Sequence, residues 1–368
     1  MHCRVHLLTL FCLFGTAHGF LPAQTPSQLQ NLIAEEIPVP KTRNWKNLGI
    51  SNYELRKLER FYRDETGVEG YHIAYESLGL SIAGILVQPH IEIVEEDNTD
   101  SANLNTEEDE LITYPLVILS HGSTYGLTAA YRQIAIALAS RGYIVLASSY
   151  RGRGGKEGRS QGSPQLARGE VLDLLQLVQI GRQIEYVDTQ RMALIGFRDG
   201  ATTALLGIKR SNVFKLAVLV SPEVFSGMAE YGYTGLATLR RRSTEIFGRQ
   251  LSRVELFREL RYRETFHGLS ELRTPILLIT TGGDPSRQEL LYFIDNLQKQ
   301  GIEPRLVEYP SMLPGFLTAV TAKQQPERWH VARDEAWGVI LNSIDASLAA
   351  PDEDVHDRGP SSRQTVNH

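Results

Sequence analysis

From residue 115 onward the chain alternates two kinds of apolar pattern. Short continuous apolar runs, PLVILS, YIVLASS, RMALIG, KLAVLVS, TPILLITT and EPRLVEYP, predict buried strands. Between them lie AAYRQIAIALASRG, LARGEVLDLLQLVQIGRQI, DGATTALLGIKR and RQELLYFIDNLQKQG, and ERWHVARDEAWGVILNSIDASL closes the domain. Their apolar residues recur at helical spacing and predict helices, the first closed by a terminal glycine. Strands alternating with helices of this length predict an α/β fold, a mainly parallel sheet with helices on both faces. Upstream, YHIAYESLGLSIAGILVQP alternates apolar and polar residues on either side of a Leu-Gly. It predicts an antiparallel pair of strands at the N-terminal edge.

Other segments do not fit the alternation. Residues 222–272 contain LRRRSTEIFGRQLSRVELFRELRYRETF and predict an arginine-rich helical insertion, placed as a lid over the carboxyl ends of the strands. Its arginines read as a solvated helix face. EIVEEDNTDSANLNTEEDEL, residues 92–111, is acidic and poor in aromatics and reads as a solvated loop. A calcium site is the sharper alternative there, but the spacing and central glycine of an EF-hand are absent. YELRKLERFY predicts a short helix within an otherwise mixed, polar stretch. The expected organisation is a signal peptide over 1–19, an N-terminal extension over 20–69, a domain over 70–350 that includes the insertion, and a disordered tail over 351–368.

The N-terminus carries a weakly positive MHCR and then LLTLFCLFGTA, an apolar stretch too short to span a bilayer comfortably. Ala17-His18-Gly19 offers small residues where a signal peptidase reads, so cleavage is expected after Gly19 and the protein is expected to be secreted or periplasmic. An uncleaved anchor is the alternative. No other apolar run is long enough for a membrane span, so none is expected after cleavage. Both cysteines, Cys3 and Cys12, lie inside this segment. The mature chain then has no disulfide, thiolate nucleophile or cysteine metal site, and no motif calls for a metal or cofactor. A net charge of −5 gives no basic excess that would suggest a nucleic-acid partner.

The stretch ALIGFRDGAT holds the chemical question. An apolar run ends in Gly196-Phe-Arg198-Asp199-Gly200 and enters a helix. That is the form of a strand-to-helix turn that exposes a catalytic serine, with an arginine at the apex. Glycines are required two residues to either side because the sharp turn crowds those positions. With Arg198 at the apex the flanks are Gly196 and Gly200. Moving Asp199 to the apex, as an aspartate nucleophile, would place bulky Phe197 and Ala201 there.

Several stretches in order, from about residue 70 to 348, make the chain resemble an α/β-hydrolase of the prolyl-oligopeptidase-like and dienelactone-hydrolase-like branches. PLVILSHGS resembles the strand and His-Gly turn, His121-Gly122-Ser123, that builds part of the oxyanion hole together with Asp199. LASRGYIVLASSYRGRGGKEG resembles the family's strand followed by Tyr-Arg-Gly, and GEVLDLL the start of the helix before the elbow. TPILLITTGGDP resembles the strand and loop bearing the acid, here Asp284. EYPSMLPGF resembles the loop that presents the histidine, but Pro314 holds that place. His330 lies further on, at the start of the last helix, and reads as an ordinary helix residue; His121 belongs to the turn and is not a proton shuttle.

The resemblance thus implies a triad reduced to Arg198, Asp284 and Pro314. Arginine stays protonated and is no nucleophile, and proline carries no proton. Three readings stand: a pseudo-hydrolase that binds or scaffolds, an active esterase or peptidase using a non-standard site, or an ordinary hydrolase with aberrant letters. For the first, Arg198 and Asp284 are expected to form an ion pair that plugs the old site. An anion cradle under Arg198, taking a small carboxylate or phosphate, and a vestigial pocket with a protein partner on another surface are the alternatives.

Overall fold

The computed structural model describes residues 59–63, 67–89, 91, 112–165, 167–224, 240, 243–244, 247–319 and 325–350. The strands are β1 (Glu59–Arg63), β2 (Glu69–Ser77), β3 (Leu80–Gln88), β4 (Tyr114–Ser120), β5 (Ile144–Ser148), β6 (Gly154–Gly155), β7 (Gly158–Arg159), β8 (Val187–Phe197), β9 (Leu216–Val220), β10 (Ile276–Thr281) and β11 (Arg305–Tyr309). The helices are α1 (Ala129–Ala139), α2 (Arg168–Gly181), α3 (Asp199–Ile208), α4 (Arg253–Tyr262), α5 (Arg287–Lys299) and α6 (Glu327–Ser347). Nine strands form one sheet in the order β1-β2-β3-β5-β4-β8-β9-β10-β11. The six from β5 to β11 in that order run parallel, and β1, β2 and β3 pair antiparallel at one edge.

The apolar runs explain this arrangement. All residues of β5, β9 and β10 are buried, as expected of strands covered on both faces. Side chains alternate between two cores. Leu278 of β10 packs in the core built by α2, α3 and α5, and Ile279 in the one built by α1 and α6. Helix α1 ends as its glycine predicts: Gly142 takes φ +89°, and the Tyr143 amide donates to Leu138 O at 3.4 Å. Every residue of α3 is buried, because it lies between the sheet, α2 and the insertion rather than at the surface.

Two expectations give way. The helix expected over YELRKLERFY fails for its described part: Glu59–Arg63 is the edge strand β1, paired with β2 from Glu59↔His72 to Arg63↔Glu69. Leu, Arg, Lys and Glu favour a helix locally, but an open sheet edge offers backbone partners that outweigh that preference. The sheet therefore begins at Glu59, inside the stretch expected to be an N-terminal extension. The arginines of the insertion are also not one solvated face. Arg249 and Arg253 are exposed, whereas the side chain of Arg263 is 2% exposed. The signal peptide, the acidic stretch 92–111 and the tail from 351 lie outside the described residues.

Candidate functional site

The carboxyl ends of the parallel strands gather the residues that the sequence singles out, as an α/β sheet does. Strand β8 ends at Phe197, α3 begins at Asp199, and Arg198 between them takes φ +54°, ψ −121°. A non-glycine residue in that region is strained by about 1–3 kcal/mol, so its neighbours must hold it there. The Arg198 amide donates to Val220 O at 2.9 Å, and Arg198 O accepts from the Ala201 and Thr202 amides. The glycines make the turn sterically possible. A Cβ on Gly196 would lie 2.6 Å from Ala201 Cα, and one on Gly200 2.3 Å from Ser120 O. A Cβ on Gly122 would lie 2.3 Å from Phe197 O and 2.7 Å from Arg198 Cβ, so the His-Gly turn also leans on the elbow. The apex is Arg198, not Asp199.

Around the apex lies a compact charge network. Arg198 donates to Glu223 Oε1 at 3.3 Å. Its other terminal nitrogen faces Asp284 Oδ2 at 3.8 Å, and among the described residues neither of those two buried atoms makes a hydrogen bond. The expected Arg198–Asp284 pair therefore exists as an ion pair, while the hydrogen bond goes to Glu223. Arg263, from the insertion, donates to Asp199 Oδ1 at 3.0 Å and approaches Glu223 Oε2 at 3.6 Å. The Thr202 hydroxyl donates to Glu223 O and accepts from its amide, fixing this segment over α3. Glu223, Asp199 and Asp284 are buried, and the Arg198 side chain is 30% exposed, making it the network's opening to solvent.

The flanking turns are occupied from within. The Gly122 amide donates to Tyr131 Oη at 3.0 Å, and the Ser123 amide to His121 Nδ1 at 3.2 Å. His121 is 1% exposed, between the Tyr131 and Tyr150 rings. Burial, with Arg153 adding repulsion, lowers its pKa to about 3, so it stays neutral near pH 7 and serves the turn. Tyr150 sits at φ +57°. Arg151 beside it clamps Asp173 of α2 in a bidentate pair, Nε to Oδ2 at 3.1 Å and the terminal nitrogen to Oδ1 at 2.7 Å. That clamp ties Tyr-Arg-Gly to GEVLDLL. A cavity of about 10 Å³ beside Asp199, lined by His121, Arg153, Glu170 and Arg263, has room for one water.

Asp284 follows β10 and is held by its own turn, with Oδ1 accepting from the Ser286 amide at 3.0 Å. The loop bearing Pro314 lies against that turn: the Gly283 amide donates to Met312 O, and a Cβ on Gly283 would meet Leu313 Cδ2 at 2.7 Å. Pro314 itself is half-buried. His330 lies on α6 with its ring edge-on to Trp329. Glu223 and Arg263 escaped sequence reasoning. Glu223 could have been found as a charged residue just past the carboxyl end of β9. Arg263 stands 64 residues from its partner Asp199 and carries no spacing signal. Ser221 was missed as well: it is buried at φ +47° beside the elbow, and its hydroxyl has no hydrogen bond among the described residues.

Comparison with known proteins places this geometry. Residues 129–312 match the prolyl oligopeptidase family, and residues 74–157 match platelet-activating factor acetylhydrolase, isoform II. No curated protein matches the sequence. Among solved structures, a putative dienelactone hydrolase from Klebsiella pneumoniae superposes with a TM-score of 0.51 at 15% identity, over 75% of this chain and 98% of that one. An acetyl xylan esterase from Paenibacillus sp. R4 gives 0.53 at 18%, over 78% and 87%. The acylaminoacyl peptidase of Pyrococcus horikoshii gives 0.57 at 17%, over 79% of this chain but 44% of the peptidase. The fold is that of the α/β-hydrolases, with antiparallel strands at the N-terminal edge.

Proposed function

The chain belongs to the prolyl oligopeptidase family, and on that premise we propose that it is a pseudo-hydrolase, which keeps the scaffold of an esterase or peptidase and binds or scaffolds without turnover. The observation that carries this reading is the apex. Its strained backbone is intact, but the side chain there is an arginine hydrogen-bonded to Glu223 and facing Asp284. Serine-type acyl transfer needs a nucleophile at that position and a base oriented by the acid. Arginine cannot lose its proton, and Pro314 supplies no base. The Arg198 side chain stands where a substrate carbonyl would dock. The Gly122 and Ser123 amides, which could help stabilise an oxyanion, already donate within the protein. Export through the N-terminal signal belongs to the same proposal and rests on residues 1–19 alone.

An anion cradle at Arg198 is a weaker form of the proposal. Asp199, Glu223 and Asp284 outnumber Arg198 and Arg263, so an incoming anion must displace Glu223 from Arg198. The deciding experiment is labelling of the pure protein with a fluorophosphonate probe. No adduct is expected. A labelled serine, with Ser221 or Ser123 as the first places to map it, would establish the active esterase or peptidase reading instead. Arg198→Ser combined with Pro314→His is expected to restore labelling and measurable p-nitrophenyl ester hydrolysis, because the elbow and the acid are already in place.

A further inference from the structure

Away from the elbow, a groove of about 260 Å³ runs between α1 and α6 under the loop that follows Pro314. Its walls are two helical stripes. Ala130, Ile134 and Leu138 come from α1, and Trp337 and Leu341 from α6, with Leu317 closing one end. These residues recur every four positions, so each stripe follows one helix face. At one end of the α6 stripe, one turn before Trp337, stands Arg333. Its guanidinium lies over the Trp329 ring at 5.6 Å, and its Nε is buried with no hydrogen-bond acceptor among the described residues. No carboxylate lies within ion-pair distance of it among those residues, unlike Arg198, Arg263 and Arg151.

A buried guanidinium nitrogen without an acceptor is costly, and the missing partner is an anion. From Arg333 to Leu341 the groove runs about 12 Å along the helix. We propose that this groove binds an amphipathic monocarboxylate, an acyl acid of medium chain length. Its tail lies between Ile134, Leu138, Trp337 and Leu341, and its carboxylate takes the hydrogen bonds of Arg333. Charge and shape select this ligand together. A neutral apolar molecule leaves Arg333 without an acceptor, and a small anion leaves the half-buried Trp337 and Leu341 uncovered. The site stands on the opposite face of the sheet from α2 and α3 and does not depend on whether the elbow is active.

Isothermal titration of the full chain with sodium decanoate, decan-1-ol and sodium acetate tests the proposal. Decanoate is expected to bind and acetate not to. Arg333→Gln is expected to weaken decanoate at least tenfold and to leave decanol within twofold. Ala137→Phe, at an exposed position of α1 that lines the groove, is expected to weaken both at least tenfold while thermal melting shows the fold intact. Absence of decanoate binding, or binding that neither variant changes, overturns the proposal. So does a dimer in sedimentation that Ala137→Phe dissociates, since the groove would then be a subunit interface.

Discussion

Replacing Arg263 by methionine removes a charge and keeps most of the hydrocarbon bulk. The side chain is 2% exposed and its partners Asp199 and Glu223 are 9% exposed, so surface screening does not apply. Exposed ion pairs contribute at most about 1 kcal/mol, but removing one member of a buried pair costs about 3–5 kcal/mol, because the other charge stays behind without compensation. Here two carboxylates lose a shared cation while Asp284 adds a third negative charge nearby. Arg198 offsets only part of this, since it is 30% exposed and bonds Glu223 at 3.3 Å. The expected loss is about 3–5 kcal/mol, a large share of an ordinary domain stability of about 5–15 kcal/mol. Urea unfolding followed by far-UV circular dichroism reads it directly. Arg198→Met is expected to cost less, because Glu223 keeps Arg263. Adding Asp199→Asn to Arg263→Met is expected to recover part of the loss. A loss below about 1 kcal/mol for Arg263→Met, or a larger loss for Arg198→Met, would refute the claim that the insertion is locked to the elbow by buried charge.

Two further outcomes follow from the same geometry. Gly200→Ala would push a Cβ to 2.3 Å from Ser120 O and 2.5 Å from His121 O. A loss of about 1–3 kcal/mol is expected in the same unfolding assay, and a neutral result would mean that the elbow does not press on the His-Gly turn. Burial and the neighbouring Glu170 raise the carboxyl of Glu259 on α4 from 4.5 to about 7. Its folded pKa lies above the unfolded one, so its contribution is present at low pH and lost as pH rises through 7. Glu259→Gln is expected to flatten the stability profile between about pH 4.5 and 7 and to stabilise the protein at about pH 8 by roughly 1–2 kcal/mol, discounted for partial exposure. An unchanged profile would place that carboxyl in solvent.

Strands and helices from residue 115 were legible, the two-residue β6 and β7 apart, because each buried run is bounded by turn residues and each helix repeats at its own period. Gly196 and Gly200 were legible for a steric reason that needs no contact list. The edge strand β1 was not, since its residues favour a helix and only β2 makes them a strand. The network was half legible. Arg198 and Asp284 stand in local frames that point to each other, one after β8 and one after β10. Glu223 and Arg263 enter through the insertion, whose path over α3 is set by tertiary packing. Reading its arginines as one solvated face missed the residue that anchors it, because a charge run says nothing about which member finds a buried partner.

The backbone at residue 198 is dictated by Gly122, Gly196 and Gly200, and by the bond to Val220, none of which involves the arginine side chain beyond its Cβ. The apex is in that sense a mounting point whose fitting can be exchanged. A protein engineer could install cysteine, serine or a synthetic nucleophile there and inherit a pre-bent presentation. The exchangeable part is then written in side chains rather than in architecture.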